Sequence, residues 1–145
     1  MASVAILSGC ATSMTEMTVD TSDITLQSPV SATKSVFIRD IQDDRVFDPE
    51  TDDPSVPSLR PANEYDKDHA IGRKRNTYGK ALGSLHLKLE QSVKQLTRDA
   101  VAQAYIDNGY AVVTEKKDVK PETLVVDVKI KKFWAWMDPV FGLLN

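Results

Sequence analysis

The chain is poor in the residues that most often carry chemistry. It has one cysteine and two histidines in 145 residues. A single cysteine, Cys10, excludes an internal disulfide framework and any multi-cysteine metal site. His69 and His86 sit in no H-E-x-x-H pattern, and neither lies near Cys10 in sequence, so the patterns of a metal-dependent protease and of a cysteine–histidine nucleophile are both missing. There is no G-x-S-x-G elbow, and no phosphate-loop pattern can be written through Gly72, Gly79 and Gly83. Basic residues do not exceed acidic ones, with 18 Lys and Arg against 21 Asp and Glu and a net charge of −3, which argues against a dedicated nucleic-acid binder. No apolar run approaches the roughly 18 residues of a membrane-crossing helix. These absences lead to the expectation of a protein that is not an enzyme and holds no cofactor or metal.

What is present suffices for one folded domain, because 41% of the residues are hydrophobic. At the start, Val4, Ala5, Ile6 and Leu7 make a short apolar run, and Leu7-Ser8-Gly9-Cys10 follows. This tetrapeptide resembles the lipobox of bacterial lipoproteins, in which the cysteine thiol is alkylated with diacylglycerol and the preceding signal peptide is removed. Small neighbours let the extended segment enter the processing enzymes, and the thiolate is the nucleophile. Several acyl chains hold a protein stably at a bilayer. Ala11 follows the cysteine where inner-membrane lipoproteins often carry Asp, so the resemblance implies the outer membrane, facing the periplasm. Residues 11–33 are mostly Thr, Ser, Ala and Asp without a lasting period, the composition of a flexible tether. The expected layout is a signal-peptide remnant over 1–9, a lipidated, disordered tether over 10–33 and a domain over 34–145.

Within that domain, residues 34–42 alternate as a strand, with Val36 and Ile38 on one face and Phe37, Arg39 and Ile41 on the other. Residues 40–61 concentrate Asp and Pro. Without the D-x-D-x-D-G spacing of a calcium loop they read as an acidic, solvated loop. Arg73, Lys74 and Arg75 form a basic turn among glycines, followed by a strand-like alternation at Leu85, Leu87 and Leu89. Residues 92–108 read as the main helix. Ser92 and Gln95 form its capping box. Val93, Leu96, Thr97, Ala100, Val101 and Ala104 make its buried stripe, Lys94, Arg98, Gln103 and Asp107 its wet face, and Asn108-Gly109 its stop. Tyr110–Thr114 and 124–132 read as an antiparallel hairpin around a charged turn. Phe133, Trp134, Trp136 and Phe141 form a terminal aromatic cluster that caps the core beneath the helix. The fold class is therefore α+β, one main helix on an antiparallel sheet.

Gly72-Arg73-Lys74-Arg75-Asn76, Tyr78-Gly79-Lys80-Ala81-Leu82-Gly83, Asn108-Gly109-Tyr110 and Lys132-Phe133-Trp134-Ala135-Trp136 occur in this order. As a set, over residues 34–141, they resemble the YajG-like bacterial outer-membrane lipoproteins. The resemblance implies an envelope location and an α+β domain that continues beyond the aromatic cluster, and so an open sheet edge here through which copies can associate. Three functions follow as expectations. The first is a lipid-anchored accessory or binding module with an envelope protein or glycolipid as partner. The second is recognition of an anionic glycolipid or glycan by Arg73, Lys74 and Arg75, with Trp134 and Trp136 stacking on sugars. The third, of a different class, is a metal-dependent hydrolase using His69, His86 and the acidic loop.

In cells fed radiolabelled palmitate, the full chain is expected to incorporate label and the Cys10→Ser variant to carry none. An unlabelled parent protein removes the envelope assignment.

Overall fold

The computed structural model describes residues 13–76 and 78–136. Cys10, Phe141 and the rest of the C-terminal apolar segment lie outside the described residues. Two α-helices and six strands are present among those described, in the order β1 (Thr15–Met17), β2 (Lys34–Asp43), α1 (Glu64–His69), β3 (Ala70–Arg75), β4 (Ala81–Leu87), α2 (Val93–Asp107), β5 (Tyr110–Val113) and β6 (Leu124–Ile130). They form two three-stranded sheets, β1-β4-β3 and β5-β2-β6. The mixed α and β composition is as expected.

The sheet under α2 is parallel, not antiparallel. β5 and β6 lie on opposite sides of β2, each parallel to it, so the expected hairpin between them does not exist. Val36 is in register with both Val112 and Leu124. Residues 114–123 therefore carry the chain across β2 rather than reversing it. Both new strands thereby pair with the central strand, whose Val36, Ile38 and Ile41 are buried. The antiparallel part is the β3–β4 hairpin, closed by Asn76, whose Oδ1 accepts from the amides of Tyr78 and Lys80. Gly79 takes the left-handed conformation that the turn requires (φ 77°).

A bulge in β2 rearranges its faces. Ile38 pairs with Val126 and Asp40 with Asp127, which leaves Arg39 as the inserted residue. One extra residue reverses the alternation downstream. Ile41, expected opposite Ile38, is buried with Val36 and Ile38, and so is Asp43. The displaced Arg39 side chain pairs on the surface with Asp127.

Helix α2 keeps one half of the expected capping box, Ser92 Oγ accepting from the Gln95 amide at 3.2 Å while the Gln95 side chain turns to Asp99 at 2.7 Å. The helix stops at Gly109 (φ 82°). Its buried stripe is rotated from the expected one. Val93, Leu96, Ala102 and Ile106 are buried, whereas Ala100 and Ala104 are exposed. The helix rests on β2 and β5, which leaves the β6 side of the helix open. Ile38, Ile41, Ile71, Leu87, Val93, Leu96, Ala102 and Ile130 form one core between the two sheets and the helix. Each large aliphatic among them contributes about 1.5–3 kcal/mol by burial.

Residues 13–33 are not a free tether. β1 adds to sheet β1-β4-β3, pairing in parallel with Leu85–Leu87. The Gln91 side-chain amide then clamps both backbone groups of Val19 at 2.8 Å. Further on, Gln103 Oε1 accepts from the amides of Thr25 and Leu26 at 3.0 Å, and Ser28 Oγ accepts from the Val112 amide at 3.0 Å. The polar composition that reads as a linker supplies one half of these bonds, and the glutamines of the helix region supply the other. The segment is a strap across the domain.

The expected acidic loop is also more structured than its composition suggests. β2 runs to Asp43, and Asp43 forms an ion pair with Arg45 in which both side chains are buried (exposure 1% and 0%). Arg45 Nε and Nη2 donate to the carboxylate, Nη2 also to Lys67 O at 2.6 Å, and Nη1 to Ala70 O and Phe133 O at 2.7 and 3.0 Å. All five guanidinium protons are thus used. Burial alone raises the Asp43 carboxyl, but the hydrogen bonds and charge of Arg45, with the charge of Lys67 added, outweigh it and hold it below the usual carboxylate range. A lowered pKa stabilises the fold above the unfolded carboxylate value of about 3.9, and that contribution is lost as pH falls through the folded value.

Asp43→Asn leaves the Arg45 charge buried without its counter-ion. Urea denaturation at neutral pH should show a loss of about 3–5 kcal/mol. The gap between parent and variant should begin to close below about 3.9, where the unfolded carboxylate takes up its proton, and vanish once pH has fallen through the lowered folded value.

Candidate functional site

The basic triplet lies on a strand, not a turn. Arg73, Lys74 and Arg75 are the last half of β3, and the chain after β6 comes back beside them. The Ala135 amide donates to Ile71 O at 2.7 Å, and Ala135 bridges in parallel to Gly72. This approach needs a glycine. A Cβ at position 72 would stand 2.8 Å from Ala135 O and 3.0 Å from a Leu85 methyl carbon. Gly72 therefore lets the segment 133–136 lie flat on the sheet edge, which sets Trp136 beside the basic strand.

The result is a cleft of about 310 Å³ lined by Met17, Arg73, Lys74, Arg75, Leu85, Ala135 and Trp136. Trp136 is 52% exposed and Met17 40%, so the cleft joins an accessible aromatic and apolar surface to three cationic residues. The cations are held rather than loose. Arg73 Nη1 donates to Ser58 O, Arg75 Nη1 to Gly79 O at 2.7 Å and Lys74 Nζ to Ser13 O at 3.1 Å. The carbonyl acceptors of Arg73 and Arg75 orient these two cations without cancelling their charge. The Arg73 Nε is buried with no hydrogen-bond partner among the described residues, an unmet donor in the wall of a cationic site.

Of the five residues expected to meet a ligand, four come together here and Trp134 does not. Its Nε1 donates to Pro54 O at 3.2 Å and its ring meets the edge of Phe47 with centroids 6.1 Å apart. Trp134 thus packs the loop that follows β2, and neither tryptophan lies beneath the helix. Met17 and Leu85 are the contributors that the sequence does not reveal. Met17 sits in a stretch composed like a linker, and only the pairing of β1 with β4 brings it to the cleft.

The histidines are apart from this cleft and otherwise engaged. His69 is buried, its Nδ1 2.7 Å from Tyr65 O and its ring 4.1 Å from that of Tyr65. His86 Nδ1 lies 3.4 Å from Asp66 Oδ1. Among the described residues no three His, Cys, Asp or Glu side chains converge where a metal ion could be held. No helix among the described residues is long and apolar enough to cross a membrane.

A second cavity, of about 390 Å³, lies between α2, β2 and β5 under the strap. Leu26, Ile38, Ala102, Ile106 and Val112 give it an apolar lining, with Arg98 and Asp99 on its wall. Arg98 was expected on the wet face of α2. It is half-buried, and its Nη1 donates to Ile38 O at 2.8 Å.

No family model, curated protein or solved structure matches the chain.

Gly72→Ala forces the 133–136 segment off β3. A stability loss of about 1–3 kcal/mol is expected from the overlap, together with stronger iodide quenching of tryptophan fluorescence as Trp136 leaves its place.

Proposed function

We propose that the chain is a lipid-anchored envelope protein, held by Cys10 at the periplasmic face of the outer membrane, and that it acts as a non-enzymatic binding module. The anchor rests on Leu7-Ser8-Gly9-Cys10. The observation that carries the binding role is the meeting of Arg73, Lys74 and Arg75 with Trp136 in one cleft, which favours an anionic head group of a membrane lipid or glycolipid as the ligand. Charge from the basic strand draws the head group in, a guanidinium–anion contact is charge-assisted, and Trp136 covers the neutral part of the head group or a sugar ring.

Placement supports the same reading. With β1 beginning at Thr15, Ala11 and Thr12 alone separate Cys10 from Ser13, the acceptor of Lys74. Three extended residues span at most roughly 11 Å. A lipid on Cys10 therefore keeps the cleft within reach of the head-group layer, several ångströms thick, and the long tether suggested by composition is not part of the proposal.

The test uses the full-length Cys10→Ser chain, which carries no lipid, and vesicles of phosphatidylcholine with or without phosphatidylglycerol. Co-sedimentation is expected only with the anionic vesicles and should weaken as salt rises. Lys74→Gln should lower it about fivefold, in line with about 1 kcal/mol per basic residue at such a surface, and Trp136→Ala should lower it further. Equal binding to both vesicles, or none, overturns head-group recognition.

A further inference from the structure

The cavity beneath the strap has three features that ordinary packing of the core does not require. Its volume of about 390 Å³ is large beside the apolar cavity of about 150 Å³ that already admits benzene. Its cover is held by side chains rather than by a strand ladder: Gln103 Oε1 takes the amides of both Thr25 and Leu26, and Ser28 Oγ takes that of Val112. The cover is also strained. Leu26 is the one non-glycine residue with positive φ among those described (51°), and the residue is 45% exposed although it lines the cavity. A bulky side chain in the left-handed region is strained, so the closed strap stores a bias toward opening. A strained, weakly tied cover over an apolar space is the arrangement of an entrance.

The wall supplies one charged group suited to a ligand. Arg98 gives Nη1 to Ile38 O, and among the described residues its Nε and Nη2 have no hydrogen-bond partner. Asp99 on the same wall is turned to Gln95, whose Nε2 donates to Asp99 Oδ1 at 2.7 Å. The cation is therefore the group open to a head group, above an apolar floor of Ile38, Ala102, Ile106 and Val112.

We propose that this cavity binds a single-chain carboxylate amphiphile, with its alkyl chain on Ile38, Ala102, Ile106 and Val112, its carboxylate on Arg98, and residues 24–28 as the cover that opens to admit it. The site is separate from the Trp136 cleft, and its test does not depend on the anchor or on head-group binding.

The full-length chain is titrated with sodium decanoate and, in parallel, with 1-decanol, each below its aggregation limit, and followed by amide chemical shifts. Saturable shifts are expected at Ile38, Ala102, Ile106 and Val112, with larger changes at Thr25 and Leu26 as the cover moves. Decanoate should bind more tightly than decanol. Arg98→Gln should weaken decanoate about tenfold and leave decanol unchanged, while Arg98→Lys should recover most of the loss. Gln103→Ala, which unties the cover, should speed association several-fold. Absence of saturable shifts in the parent chain, or equal affinity for decanoate and decanol, overturns the proposal without recourse to any variant.

Discussion

The fold turns on one buried guanidinium. Arg45 is reached only because β2 runs on past its bulge and places Asp43 inside. From there it joins four pieces of chain that no sheet unites: the end of β2 through Asp43, the end of α1 through Lys67, the start of β3 through Ala70, and the segment after β6 through Phe133. Lys67 Nζ closes the circuit by donating to Asp43 O at 2.8 Å. A buried ion pair is not by itself a source of stability, because desolvation offsets much of the Coulombic gain. Its use here is specificity. Five donors in a rigid planar fork are satisfied by one arrangement of those four strands and turns, so sheet β1-β4-β3 and sheet β5-β2-β6 are locked in one relative position.

That lock also positions the cleft. Phe133 is tied to Arg45, and two residues later Ala135 pairs with β3 across Gly72. Trp136 is therefore placed by a chain of constraints that begins at Asp43, well away in sequence. The basic strand is fixed from its other side by Ser58 and Thr51, which accept from Arg73 and Arg75. The loop that holds them is in turn braced by turns at Asp48 and Asp53, whose carboxylates accept from the amides of Glu50 and Ser55. The Asp and Pro richness of residues 40–61 thus marks a rigid support and not a merely solvated loop.

How much of this was legible follows from how local each signal is. The main helix, its Ser92 cap and its Gly109 stop are set by neighbours within one turn, and they were readable. The strand at 34 was readable too, but the inserted Arg39 was not, since nothing in the alternation marks which residue a bulge leaves unpaired. The parallel placement of β5 and β6 depends on competition for β2 as a partner, a choice made by tertiary packing. The same choice moved the helix stripe from Ala100 and Ala104 to Ala102 and Ile106. The candidate site was half legible: Arg73, Lys74, Arg75 and Trp136 announce themselves by type, whereas Met17, Leu85 and Arg98 gain meaning only from the strands and strap that surround them.

The strap joins the two sites in one mechanical element. Its first residues make β1, which borders the cleft through Met17, and its later residues cover the cavity through Leu26. Between them the Gln91 amide holds both backbone groups of Val19 at 2.8 Å, a two-point clamp. Tension from a lipid on Cys10, as proposed, would reach β1 first and stop at Val19. The cover at 24–28 would then stay free to open on its own account.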